Sequence, residues 1–212
     1  MEISGKEVLR YLGYRGVAPD GRISSLVGEL SAVFTANVVP KSVYGIWGCQ
    51  VDSSTTALGG MAVNSENLAE HLEGCDRAAL LAATLGTEAD TLLRRYSVQD
   101  MEKAVIAQAV CSAMLEAYCD DIETELAQKP ELGGLCPRPR FSPGYGDFDI
   151  YHQKDILSIL KCGRIGLSLS DGCMLIPSKS VTAVIGFSQE RRQAVGKCGR
   201  CAARQCEFRE AP

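Results

Sequence analysis

From Gln99 to Lys129 the chain runs without a glycine or a proline, and Pro130 then forbids continuation. A stretch of this kind admits one long helix, spanning roughly 42 Å at the usual rise per residue. Ser97-x-x-Asp100 reads as the capping box that opens it. Met101, Ala104, Val105, Cys111, Leu115, Tyr118 and Ile122 make one broad apolar stripe, so the helix is expected to lie across a sheet and bury that face. The acids Asp120, Asp121, Glu123 and Glu125 read as its solvated surface, and Glu102 and Asp100 as partners of the helix N-terminus.

The sheet has to come from the remaining segments. Ser4-x-x-Glu7 caps a short helix that stops near Gly13, and Ser24 or Ser25 caps a second, with Leu26, Leu30 and Val33 on one face and Pro40 beyond its end. Val43 to Cys49 is a strand by propensity, with Thr55 to Val63 as its neighbour after a turn. Ser65 caps a helix to about Leu72, Ala78 to Leu85 reads as a buried strand, and Thr87 to Arg94 returns to helix. After the long helix, Asp155 to Cys162 is helical, and Gly166 to Leu169, Met174 to Ile176 and Val181 to Phe187 are strands. Strands on both sides of one long helix predict an α+β fold with a mostly antiparallel sheet.

Between helix and strands lies Arg138-Pro139-Arg140-Phe141-Ser142-Pro143-Gly144-Tyr145-Gly146-Asp147. Two prolines and two glycines exclude a helix interior, while two guanidinium groups and two aromatic rings crowd into the same run. Such a loop is either an ordinary surface turn or the seat of a ligand with a carboxylate at one end and a flat base at the other.

Composition narrows the function. The 212 residues carry a net charge of −4, which argues against a nucleic-acid footprint over the whole surface. Met1-Glu2-Ile3-Ser4-Gly5 has neither the basic nor the apolar region of an export signal, and no apolar run approaches the ~18 residues of a membrane span, so a cytoplasmic chain is expected. In that compartment the ten cysteines read as reduced thiols, metal ligands or redox groups. Cys49, Cys111 and Cys119, among apolar neighbours, read as small core residues. There are only two histidines and no Ser/His/Asp or Cys/His arrangement for nucleophilic catalysis.

Arg140-x-x-x-Gly144-Tyr145, with Pro143 before the glycine, resembles the S-adenosylmethionine-binding motif of the activation domain of cobalamin-dependent methionine synthase. Pro177-x-x-Ser180-Val181-Thr182 resembles that family's downstream Pro-x-x-Ser-Val-Ser segment, and the long helix with Glu116 stands in the expected order before the loop. The resemblance covers roughly residues 75 to 188. It implies an activation-domain-like α+β domain over 1–188, least certain over 1–74, followed by a basic Cys-rich appendage, 189–212. It also implies S-adenosylmethionine contacts from Arg140, Phe141, Ser142, Pro143, Gly144, Tyr145, Glu116 and Ser180. Arg140 would hold the ligand carboxylate, the backbone of Phe141 to Gly144 would reach the adenine or amino-acid portion, and the Tyr145 ring would pack on the ligand. On the helix itself, Glu116 has solvent exposure as its other reading. Two departures stand out. Gly146-Asp147-Phe148-Asp149 replaces the family's Pro-Ala-Cys-Pro after Gly-Tyr, and Val184-Ile185 stands where the family has a tyrosine.

Cobalamin itself is expected on a partner. His71-x-x-Gly74 matches part of the family's Asp-x-His-x-x-Gly cobalt-ligand pattern, but Ala69 stands where the aspartate that fixes the imidazole is required. The other histidine, His152, reads as a packing or capping residue. In the tail, Cys198, Cys201 and Cys206 form C-x2-C-x4-C, one thiolate short of a closed tetrahedral site, with Cys136, Cys162 or Cys173 as possible fourth ligands. Zinc, an iron–sulfur cluster, and free or disulfide-forming thiols all fit that spacing.

The expected function is a stand-alone reactivation module for a cobalamin-dependent methyltransferase, most simply methionine synthase. It would supply the methyl donor for reductive remethylation of cob(II)alamin on the partner, with a reductase or flavodoxin-like protein as electron donor. This makes the chain a component of that methyltransferase activity rather than a complete enzyme, with no nucleic-acid or membrane partner. The competing reading is a thiol- or metal-based redox or interaction module that retains a vestigial ligand loop.

Overall fold

A computed structural model of the chain describes residues 2–14 and 18–189. In order, helices α1 (Gly5–Tyr11) and α2 (Gly21–Asn37) precede strands β1 (Lys41–Asp52), β2 (Thr55–Leu58) and β3 (Met61–Asn64). Helix α3 (Glu66–Leu72), strand β4 (Arg77–Thr84) and helices α4 (Thr87–Gln99) and α5 (Met101–Ala127) follow. Then come β5 (Cys136–Pro137), α6 (Gln153–Leu160), β6 (Ser168–Leu169), β7 (Leu175–Ile176) and β8 (Ser180–Ser188).

These elements form two compact units. Among the described residues, the first runs up to Pro40 and resumes over Leu85–Asp121; the second takes Lys41–Thr84 and 122–189. The long helix contributes to both.

The first unit is helical. Val8, Leu30, Phe34, Ala89, Ile106, Val110 and Met114, supplied by α1, α2, α4 and α5, share one core with Leu85, which precedes α4. Two capping residues differ from those expected. Asp20, not Ser24 or Ser25, caps α2 by accepting from Ile23 N–H at 2.8 Å, because its position just outside the first turn lets its short side chain reach the free N–H groups. Ser97 lies inside α4 and donates to the Arg94 carbonyl; Asp100 is the residue in extended conformation, and it caps α5 through Lys103 N–H at 3.1 Å. On α5 the expected apolar stripe is narrower than the pattern suggested, since Met101 is 69% and Val105 55% exposed.

The second unit holds a six-stranded sheet in the order β3-β2-β1-β4-β8-β5, every pair antiparallel, and a two-stranded ladder of β6 and β7. The fold is α+β with a mostly antiparallel sheet, as strands on both sides of one long helix predict. The Ala/Leu run is its central strand: Ala78 to Ala83 are fully buried, and small side chains allow close approach on both faces. Leu58, Val63, Leu68, Leu72, Leu80, Phe148, Ile156 and Val184 build the core beneath α3 and α6. Gly45 leaves room for the Trp47 ring, which would lie 2.3 Å from any β-carbon placed there. No helix among the described residues is long and apolar enough to cross a membrane.

Candidate functional site

The Pro/Gly run lies in the second unit, strapped to the edge of β8 and across α3. Arg138 N–H donates to the Gly186 carbonyl at 2.8 Å; three residues on, Phe141 and Val184 exchange both backbone hydrogen bonds at 2.9 and 2.8 Å. Prolines on either side of Arg140 leave this the only regular pairing the segment can make. Beyond it the chain turns on itself, with Tyr145 N–H on the Ser142 carbonyl and Gly144 N–H on the Phe148 carbonyl. Gly144 takes φ +94, a conformation that suits glycine.

The two arginines have separate tasks. Arg138 is only 6% exposed and points its guanidinium at the C-terminal end of α3, donating from Nη1 to the His71 carbonyl at 2.8 Å and from Nη2 to the Glu73 carbonyl. A cation there satisfies carbonyls that the helix cannot. Arg140 forms an ion pair with Glu123 in the last turns of α5, Nη1 to Oε1 at 2.7 Å, with side-chain exposures of 10% and 21%. The arginine expected to meet a ligand is thus nine-tenths covered and already opposed by a carboxylate.

The aromatic residues stack in sequence. The His71 ring lies on Phe141 at 4.9 Å, Phe141 on Phe148 at 6.3 Å, and the Tyr145 ring meets Phe141 edge-on at 5.9 Å. His71 Nε2–H donates to the Pro139 carbonyl at 2.9 Å, so this histidine braces the loop. Tyr145 ends the series and is 57% exposed.

Several expected contacts stand differently. Both backbone groups of Phe141, offered to a ligand by the sequence, are taken by Val184, because strand pairing at a sheet edge claims them first. Within the turn, Ser142 and Pro143 shape the bend that presents Tyr145. Ser180 opens β8, its Oγ 2.7 Å from the Pro177 carbonyl, to which it donates, and 2.7 Å from Thr84 Oγ1. Glu116 is half-buried on the part of α5 that belongs to the first unit, whereas the loop belongs to the second. Glu123, two turns further along the same helix, is the acid that Arg140 meets, and it is mostly covered rather than the solvated surface expected of it. The missed signal was its place two turns beyond Glu116, which returns a helix to nearly the same face.

Asp147 is the departure with the clearest consequence. Its carboxylate accepts from the Ser65 hydroxyl, from Glu66 N–H at 2.8 Å and from Asn67 N–H at 3.1 Å, at the start of α3. The Ser65 hydroxyl, and after it the backbone N–H groups, hold this carboxyl below its ordinary value. The second unit also has a cavity of about 570 Å³ among Gly48, Cys49, Gly59, Gly60, Met61 and Asp76, none of them in the loop. Among the described residues no group of three His, Cys, Asp or Glu is placed to hold a metal ion. Cys198, Cys201 and Cys206 lie outside the described residues.

The class defined here is an antiparallel α+β domain whose Pro/Gly turn sets Arg140 against Glu123 of α5 and ends in an exposed tyrosine ring. Among solved structures, the chain is similar to the crystal structure of the MetH reactivation domain bound to AdoHcy. The TM-score is 0.62 at 15% sequence identity, over 91% of this chain and 69% of that one. The fold is therefore that of the MetH reactivation domain. No sequence-family pattern matches the chain, and no curated protein matches it.

Proposed function

We propose that the loop binds S-adenosylmethionine and that the chain serves as the reactivation module of a cobalamin-dependent methyltransferase. The observation that carries this reading is the Arg140–Glu123 pair beside the Phe141–Tyr145 turn. An α-amino-acid head group has a carboxylate for the guanidinium and an ammonium for the glutamate. Placed between them, it exchanges one ion pair for two, so that neither covered charge is left alone. The Tyr145 ring, exposed and held edge-on by Phe141, offers a flat apolar surface to the rest of the ligand. When bound, S-adenosylmethionine supplies an activated methyl group; the chain's own residues hold and aim it. Ser180, in the same unit as the loop, remains a proposed further contact. The fold shared with a domain solved with AdoHcy supports the same ligand class.

The test is a titration with S-adenosylmethionine, read by calorimetry and by thermal stability. At a hundredfold excess over the dissociation constant the gain is about 2.7 kcal/mol. Arg140→Lys preserves the charge facing Glu123 but loses the two-pronged fork, and should weaken binding about tenfold. Arg140→Ala should abolish it. Wild-type affinity in both variants refutes the assignment of this loop.

A further inference from the structure

The loop meets α3 at both helix ends, and the contacts are of opposite sign. At the C-terminal end the Arg138 guanidinium covers the His71 and Glu73 carbonyls. At the N-terminal end the Asp147 carboxylate covers the Ser65 hydroxyl and the Glu66 and Asn67 N–H groups. A seven-residue helix is roughly 10 Å long, so the ten residues from Arg138 to Asp147 run along it, tied at both ends. Both charges complement the helix dipole. In between, His71 adds its hydrogen bond to Pro139 and its stacking on Phe141. Asn67 closes the N-terminal end by accepting from Asp147 N–H at 3.2 Å, and it occupies the space a β-carbon on Gly146 would need, 2.1 Å from Asn67 Oδ1. Gly146 sits at φ +55, so the Gly-Asp pair fits this anchorage both in backbone shape and in charge.

We infer that Asp147 is a positioning residue for the ligand loop, fixing Tyr145 relative to Arg140 by clamping the far end of the turn onto α3. This rests on the reading of the loop as an S-adenosylmethionine site. Asp147 needs no contact with the ligand. Its effect comes from holding Tyr145, two residues away, in the one place where ring and guanidinium address the same molecule, and a displacement of about 1 Å is enough to lose affinity at such a site. Asp147 itself is exposed, so the three hydrogen bonds, rather than burial, hold it.

The experiment compares wild type, Asp147→Asn and Asn67→Ala by S-adenosylmethionine titration and by hydrogen exchange of individual amides. Asparagine keeps the shape of residue 147 but sets an NH2 group against donors that require an acceptor. The expected result is about tenfold weaker binding, with about tenfold faster exchange at the Tyr145, Asp147 and Phe148 amides and unchanged exchange in β4. Unchanged loop exchange overturns the clamp. So does wild-type affinity in a variant whose loop exchanges faster, because position would then not matter to binding. Asn67→Ala should show the same pattern more weakly, and decides the matter if Asp147→Asn does not fold. If wild type fails to bind S-adenosylmethionine, the proposed function falls, while the exchange data still judge the clamp by themselves.

Discussion

The Arg140–Glu123 pair is open to a quantitative check that needs no ligand. The two charged groups are 2.7 Å apart and mostly covered, the guanidinium more than the carboxylate. With an effective dielectric of about 20 and charge centres about 4 Å apart, the attraction is about 4 kcal/mol. Desolvation of both groups returns part of that, leaving a coupling of about 2 kcal/mol. Removing either group takes the opposing charge of this pair from the other, so Glu123→Gln and Arg140→Met should each cost about 2.5 kcal/mol. The double variant should cost about 3 kcal/mol, because the second substitution removes a group that has already lost this contact. Glutamine and methionine both suit their surroundings, as Gln is nearly as good a helix former as Glu and Met matches the length of the arginine stem. Urea unfolding with a common slope across the four proteins measures the cycle. A coupling below about 0.5 kcal/mol would mean that the two groups act independently, and the pair would no longer explain why arginine is placed there.

Other outcomes follow from neighbouring parts of the second unit. Gly45→Ala puts a methyl group where the Trp47 ring lies; stability should fall by about 1–3 kcal/mol and the emission of this single tryptophan should shift to the red, whereas an unchanged spectrum contradicts the packing. Burial pushes the Cys162 thiol up to about 11, and burial, then Cys75, does the same for Cys49, so about a thousandth of each is thiolate at pH 8. Peptide mapping after brief iodoacetamide treatment of native protein should find both unmodified, the buried Cys162 and the half-buried Cys49 alike, and rapid labelling of either would contradict the raised thiol value. The Asp147 carboxyl is held below its ordinary 3.8, chiefly by Ser65, so its stabilising contribution is complete above that pH and vanishes as pH falls through the lower folded value. Wild type and Asp147→Asn should therefore differ in stability at neutral pH and converge below about pH 4. A constant difference down to acid would show that charge at this position is irrelevant.

Much of the architecture was legible because it depends on local physics. A glycine- and proline-free stretch closed by Pro130 leaves little alternative to α5, and the β-branched and aromatic content of 43–49 favours a strand. Ser4 and Ser65 cap as read, each accepting from the N–H three residues on. Capping elsewhere was ambiguous where two candidates competed: Ser97 and Asp100 both suit a helix start, and only the chain's actual break, with Asp100 extended, assigned the task. The loop was legible as an irregular, ligand-capable segment, but not in the division of labour between its arginines. Sequence spacing treats Arg138 and Arg140 alike, whereas one caps a helix end and the other faces a carboxylate 17 residues earlier.

What the sequence determined by itself is whatever is decided within a few residues: where helices start and stop, which run is a buried strand, and that 138–147 must bend. Tertiary structure alone decided the partners: Glu123 for Arg140, the ends of α3 for Arg138 and Asp147, and Val184 for the backbone of Phe141. The reason is physical. Backbone preference and capping are short-range, while a charge or an unpaired N–H must be satisfied by whatever the fold brings within about 3 Å, and that group is distant in the chain.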